Sequence, residues 1–248
     1  MRPRALILAF QFLTRLPMPA IDNVVPRDLA GASVYYPLVG AVIGTLLSLL
    51  MWVMFPSGPW IAAVLVVIAW VWITGALHLD GLGDVADALG AAHAKPERFF
   101  DVLKDPHAGN FAVTAITIQV IAKLVFIAHL PAGARIWSLA LIPAWSRWGA
   151  LVWSATLPPL KPGLAANLGA GISKFWIVAW ALALSAASFL LAPILLAALI
   201  VVPALGFYWR WRLGGITGDC LGASIETTET LLLLAVVIAS QHVWPTSA

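Results

Sequence analysis

Residues Ser33–Phe55 read SVYYPLVGAVIGTLLSLLMWVMF, twenty-three positions without a charge. A helix rising about 1.5 Å per residue crosses ~30 Å of hydrocarbon with such a segment. Outward from it the pattern recurs at Trp60–Leu77, Phe111–Leu130, Ile136–Leu157, Phe175–Leu191, Pro193–Trp209 and Leu231–Val243. Among Asp, Glu, Lys and Arg, only Lys123 and Arg147 fall inside these segments. Of the 248 residues 62% are hydrophobic and 10% charged, where a soluble domain carries about 25% charged residues. So few charges cannot cover a water-facing surface. The expected fold is therefore all-α, a polytopic transmembrane helix bundle of about seven spans forming a single integral membrane domain over residues 1–248. The fifth and sixth segments also read as one re-entrant hairpin turning at Pro193. Leu6–Leu16 reads as a short interfacial helix, since Arg15 interrupts its apolar run and no small-residue cleavage site follows.

Placement of charge gives sidedness. With the amino terminus inside, eleven of the fourteen Lys and Arg residues lie in cytoplasmic segments, as the positive-inside rule requires. All eleven acidic residues fall on the same side by this assignment, including Asp219, Glu226 and Glu229 just ahead of the last segment. The chemistry is expected at the cytoplasmic face of a bacterial inner membrane. The lone Cys220 excludes an intrachain disulfide. The net charge of +3 is modest and suggests no nucleic-acid partner.

Three constellations carry chemistry. His78-Leu79-Asp80-Gly81-Leu82-Gly83-Asp84-Val85-Ala86-Asp87 follows the second segment. In a helix its three carboxylates project from one face at i, i+4 and i+7. Carboxylates ~6 Å apart repel by about 3 kcal/mol per pair at an effective dielectric near 20, so a cation is expected between them. Hard oxygen ligands with room for water suit Mg²⁺, which typically takes one or two carboxylates plus substrate phosphates. Gly81 and Gly83 would let a phosphate approach the backbone. The competing interpretation, a solvated flanking face, fits poorly because such faces normally mix Lys, Glu and Ser. Second, Lys104-Asp105-Pro106-His107-Ala108-Gly109-Asn110 could neutralise phosphate or move a proton, or equally be a capped turn before a membrane helix. Third, Gly214-Gly215-Ile216-Thr217-Gly218-Asp219-Cys220-Leu221-Gly222-Ala223-Ser224-Ile225-Glu226 pairs a glycine turn with a two-carboxylate, small-residue face. Arg147 and Lys123, as cations inside segments, call for anionic partners, although snorkelling accounts for Lys123 about as well.

These stretches, with Phe12-Leu13-Thr14-Arg15-Leu16-Pro17, Tyr36-Pro37-Leu38-Val39-Gly40 and Ser146-Arg147, resemble the cobalamin synthase (adenosylcobinamide-GDP ribazoletransferase) family along essentially the whole chain. Ala88 and His107 depart from the family's expected Gly and Arg. The resemblance implies a Mg²⁺-dependent reaction in which a ribose hydroxyl of α-ribazole, or of its 5′-phosphate, attacks the cobinamide-linked phosphorus of adenosylcobinamide-GDP and GMP leaves. On that reading Asp80, Asp84 and Asp87 hold Mg²⁺, with Asp219 and Glu226 completing the site or orienting the nucleophile. Arg15, Lys104 and Arg147 would meet the diphosphate, as would the backbone of Gly215, Thr217 and Gly218, and Asp105 or His78 would accept the proton. Membrane lipid is the expected surroundings, and a homo-oligomer is compatible with the sequence. A CDP-alcohol phosphotransferase is the nearest alternative, but its longer motif carries an Arg shortly after the first Asp. A cation or corrinoid transporter would need ionisable groups near the membrane midplane.

Overall fold

The computed structural model describes residues 3–92, 98–103, 105, 107–131, 133–161 and 172–243. Eleven α-helices occur among them: α1 Pro3–Leu13, α2 Pro26–Ser33, α3 Tyr36–Met54, α4 Pro59–Thr74, α5 Leu77–Ala92, α6 Phe99–Val102, α7 Asn110–Ala128, α8 Ile142–Thr156, α9 Lys174–Leu191, α10 Ala198–Leu213 and α11 Gly218–Val243. The described residues contain no strand, only a single parallel bridge between Pro159 and Ile216.

Helix ends follow local chemistry. α3 stops at a 3₁₀ turn containing Pro56, and α4 restarts with Pro59 in its first turn, where proline's missing N–H costs nothing. α4 ends on Gly75 at φ 62° and α10 on Gly214 at φ 78°, the left-handed conformation that a residue without Cβ adopts freely. Immediately after Gly75, Ala76 also takes φ 59°. Across this break α4 and α5 are bent by 86°, so α5 leaves the direction of α4.

Five segments are long and apolar enough to cross a membrane, and α4 with α5 makes a sixth if counted together. That confirms the expected all-α membrane bundle. The last span is longer than expected: the helix read as opening at the glycine turn and the span read from Leu231 are one unbroken element, α11, from Gly218 to Val243. Threonine, glycine and glutamate between Gly218 and Thr230 keep that stretch out of an apolar window and so hide the join. Phe175–Trp209 forms two segments of 18 and 21 residues, Lys174–Leu191 and Pro193–Leu213, each long enough to cross alone, in place of a re-entrant hairpin. The interfacial helix is shifted, Pro3–Leu13, with Thr14 and Arg15 beyond its end.

α11 is central and packs on α5, α7 and α8, while α9 stands at the periphery with only 11% of its span buried. α8, at 15 residues, is shorter than a full span and has twelve of them buried. It crosses α3 where Gly40 touches the backbone of Pro143, and the 3₁₀ segment ahead of it, Gly133–Ala140, brings the backbone of Leu139 and Ala140 against Gly44. A Cβ at either glycine would overlap main-chain atoms.

Candidate active site

The site lies where α5 meets the start of α11. A Cβ on Gly81 would come within 2.9 Å of the Asp219 carbonyl oxygen, and one on Gly222 within 3.2 Å of the His78 carbonyl oxygen. The two helices thus touch backbone to backbone through this pair of glycines. Gly81 was expected to admit a phosphate; it admits α11 instead. The crossing brings Asp219 beside the aspartate helix. Beneath it lies a cavity of about 240 Å³, lined by His78, Asp80 and Gly81 of α5 and Gly218, Asp219, Leu221, Gly222 and Ile225 of α11, with α1, α3 and α8 closing the far side.

Asp80 is exposed, whereas Asp84 and Asp219 are half-buried. Burial first, then Asp80, Asp219 and Asp87, push the Asp84 carboxyl up to about 6, opposed by Lys161. A carboxylate whose charge is disfavoured by burial and by its acidic neighbours provides the setting in which a hard divalent cation lowers the energy. No group of three or more His, Cys, Asp or Glu among the described residues is close enough to hold an ion unaided. The donor set therefore fits an ion that keeps water and substrate oxygens in its shell, as Mg²⁺ does.

Two expected ligands are committed elsewhere. Asp87 accepts hydrogen bonds from the backbone N–H of Gly109 at 2.6 Å and of Ala112 at 3.0 Å. It caps α7, and its negative charge suits that helix terminus. Glu226 is 3% exposed; its Oε2 accepts from Gln119 at 2.8 Å and pairs with Lys123 at 2.7 Å. Lys123 also pairs with Glu229 at 2.6 Å and lies 4.3 Å from the Trp70 ring centroid. Snorkelling does not describe it.

Arg147, expected to meet the diphosphate, is engaged within the protein. It is fully buried, paired with Glu229, and donates to Ser146 Oγ at 2.9 Å and to His78 Nδ1 at 3.3 Å. A guanidinium only donates, so His78 Nδ1 is the acceptor and the ring proton sits on Nε2. With its acceptor nitrogen used in this way, His78 is a poor proton acceptor, contrary to expectation. Two cations and two carboxylates thus form a closed, charge-balanced cluster among α5, α7, α8 and α11. Glu226 and Glu229 lie about 12 and 16 Å along α11 from Gly218 at 1.5 Å per residue. They are inside the span, so not every acidic residue lies on one face.

The remaining expected residues divide. Thr217 Oγ1 accepts from Cys220 N at 3.2 Å, capping α11. Gly215 touches the Pro158 carbonyl, where Ile216 N donates to Pro158 O at 2.9 Å and Leu160 N to Ile216 O at 3.0 Å. Both residues shape the turn, and of the glycine-turn trio only Gly218 lines the cavity. Arg15 is exposed; its side chain crosses Gly75 and, with Asp80, lines a second hollow on the other side of α5. Asp105 is exposed and not part of the cavity wall, and hydrogen bonds from His107 hold its carboxyl below the usual range. That weakens it as a base. Lys104 lies outside the described residues. The cation that sequence reasoning missed is Lys161, brought beside Asp84 by the Pro159–Ile216 bridge. Only the charge of Lys161 pointed to it, and nothing in its local motif did.

Residues 5–237 match the family described as cobalamin-5-phosphate synthase. The adenosylcobinamide-GDP ribazoletransferase of Laribacter hongkongensis is 51% identical over 246 residues, covering 96% of this chain and 98% of that protein. Its counterpart in Thiobacillus denitrificans is 46% identical over 233 residues, covering 93% and 94%. That of Pseudomonas aeruginosa strain PAO1 is 35% identical over 243 residues, covering 95% and 98%. No solved structure matches the chain. With the match running from α1 to the last span, the chain belongs to the cobalamin-5-phosphate synthase family.

Proposed function

We infer that this chain transfers the adenosylcobinamide-phosphate moiety of adenosylcobinamide-GDP to α-ribazole or its 5′-phosphate, releasing GMP. The observation that carries this reading is full-length similarity to ribazoletransferases at up to 51% identity among the relatives named. A carboxylate-lined cavity at the meeting of α5 and α11 supports it.

In the reaction a ribose hydroxyl oxygen forms a bond to the cobinamide-linked phosphorus, and the bond from that phosphorus to the oxygen of GMP breaks. The hydroxyl proton passes to a cavity carboxylate, Asp80 or Asp219. Displacement at a diphosphate needs little covalent help and depends on positioning and charge neutralisation. Mg²⁺, held by one or two of Asp80, Asp84 and Asp219 with water and phosphate oxygens as its other ligands, would supply that neutralisation when bound. Lys161 adds a protein cation beside the same cluster, and Arg15 is placed to meet phosphate oxygens approaching Asp80 from the other side of α5. The cluster around Lys123 and Arg147 is sealed and charge-balanced, which argues against a transport path. Exposed Phe189, Leu190, Phe207 and Trp211 on α9 and α10 suit acyl chains.

Purified protein in lipid, given adenosylcobinamide-GDP, α-ribazole and Mg²⁺, should release GMP only when both substrates are present. Absence of GMP overturns the assignment. The distribution of Lys and Arg supports a cytoplasmic site in the inner membrane. A cysteine at position 107 in a Cys220-free chain should be labelled only by reagents that reach the cytoplasm. Labelling from the periplasm in intact cells overturns that orientation.

A further inference from the structure

We propose that the cavity behind Asp80 and Asp219 binds the methylated benzimidazole base of the acceptor nucleoside; this rests on the transferase reading above. Three features of the cavity lead there.

The first is size. Pockets for drug-sized ligands run about 300–1,000 Å³, so a cavity of about 240 Å³ accommodates one bicyclic ring and excludes a corrin macrocycle. The second is lining. Apart from the two carboxylates and His78, its walls are apolar: Phe12, Tyr36, Leu77, Ala150, Leu221 and Ile225. Phe12 and Tyr36 lie nearly parallel, 13° apart with centroids at 6.0 Å, and offer an aromatic wall. Guanine, the other bicyclic base in the reaction, carries hydrogen-bonding groups around most of its edge, and these walls would leave most of them unpaired. A dimethylated benzimidazole has one unsubstituted ring nitrogen and an otherwise apolar edge, so it suits the same walls.

The third is polarity at two points. Asp80 and Asp219 line the cavity and belong to the cluster argued to hold the metal, so a base seated here keeps its attached ribose beside them. Within the walls, Tyr36 is 2% exposed and its hydroxyl has no hydrogen-bond partner among the described residues. A buried hydroxyl without a partner is uncommon and is accounted for when a ligand supplies the partner. The benzimidazole nitrogen is an acceptor of the required kind. The His78 Nε2–H, fixed by the bond from Arg147 to Nδ1, is the other donor among the wall residues.

The test separates the two substrates. Ala150→Leu fills the cavity from α8 without touching a carboxylate. It should raise the KM for α-ribazole by about tenfold or more, the scale on which a hydrophobic pocket responds to one or more methylenes, and leave that for adenosylcobinamide-GDP within about twofold. An unchanged α-ribazole KM, or a shift falling on adenosylcobinamide-GDP, overturns the proposal. Because Ala150 is 4% exposed and leucine crowds the packing, Tyr36→Phe gives a second, nearly isosteric measurement. Its α-ribazole KM should rise about threefold to tenfold, the worth of one hydrogen bond. Its preference for α-ribazole over the analogue with C–H in place of the ring nitrogen should shrink correspondingly, and no change in that preference overturns the role of Tyr36. Wild-type protein that releases no GMP defeats the transferase reading itself. GMP release with cavity variants that behave as wild type defeats this subsite alone.

Discussion

Glu229→Gln tests whether the buried charge cluster holds the bundle together. Glu229 is fully buried and faces two cations, pairing with Lys123 at 2.6 Å and with Arg147, while accepting from Ser146 at 3.0 Å. The substitution keeps the shape and removes the charge, leaving Lys123 and Arg147 with Glu226 as the only carboxylate of the cluster. Removing one partner of a buried pair typically costs about 3–5 kcal/mol, because the remaining charge is uncompensated. Lys123→Met introduced alongside restores the balance to one cation and one carboxylate. The double variant should therefore be at least ~1 kcal/mol more stable than the sum of the single losses, as expected for residues in direct contact. Reversible unfolding in mixed micelles, followed by loss of helical circular dichroism, measures both quantities. Loss of less than about 0.5 kcal/mol in Glu229→Gln, or strict additivity of the pair, would refute the reasoning.

At the site, Asp84→Asn and Asp219→Asn should each lower kcat at least about a hundredfold, with partial recovery at high Mg²⁺. The double variant should lose little more than the worse single one, and multiplicative losses would indicate separate sites. Asp87→Asn should behave differently, losing about 1 kcal/mol of stability as a helix cap but retaining more activity than Asp84→Asn, as thermal denaturation and turnover would show. The Asp84 pKa is raised, so the folded protein binds that proton more tightly than the unfolded chain. Without a cation, the contribution of Asp84 to stability is therefore present at low pH and lost as pH rises from 4 through about 6. Wild type should thus lose stability relative to Asp84→Asn over that window in chelator, and the loss should vanish in Mg²⁺. Finally, Gly81→Ala should cost about 1–3 kcal/mol by overpacking the α5–α11 crossing, whereas Gly31→Ala, with open space around it, should be nearly neutral. Equal midpoints for the two would show that the crossing yields easily.

Much of the fold was legible because a bilayer imposes length and apolarity on each span, and Ser33–Phe55 or Phe111–Leu130 meet both plainly. The continuity of α11 was not, since Glu226 and Glu229 are met by Gln119 and Lys123 of α7, invisibly to any local window. Likewise the spacing of Asp80, Asp84 and Asp87 put three carboxylates on one face, but not what each would meet. Asp87 finds its partners 22 and 25 residues away at the start of α7. Arg147 finds Glu229 at a separation of 82 residues. Spacing within one helix carries no information about such distant partners. Within the glycine turn, spacing did not show that Gly215 would serve a chain crossing against Pro158, and Lys161, two residues beyond the Pro159–Ile216 bridge, carried no motif of its own.

The two-against-two charge cluster also bears on how the chain is made. Lys123 and Arg147 emerge from the ribosome well before Glu226 and Glu229, the latter 82 residues after Arg147. At about 5–20 residues per second, that interval lasts roughly 4–16 s. During it two cations must sit in or beside the translocon without counterions, and each costs ~2.5–3.5 kcal/mol at the centre of an isolated span. α7 and α8 therefore cannot settle at full depth until α11 arrives to neutralise them. The last helix acts as a completion signal: a chain truncated before Gly218 should stay engaged with the insertion machinery or be degraded, however apolar its earlier spans.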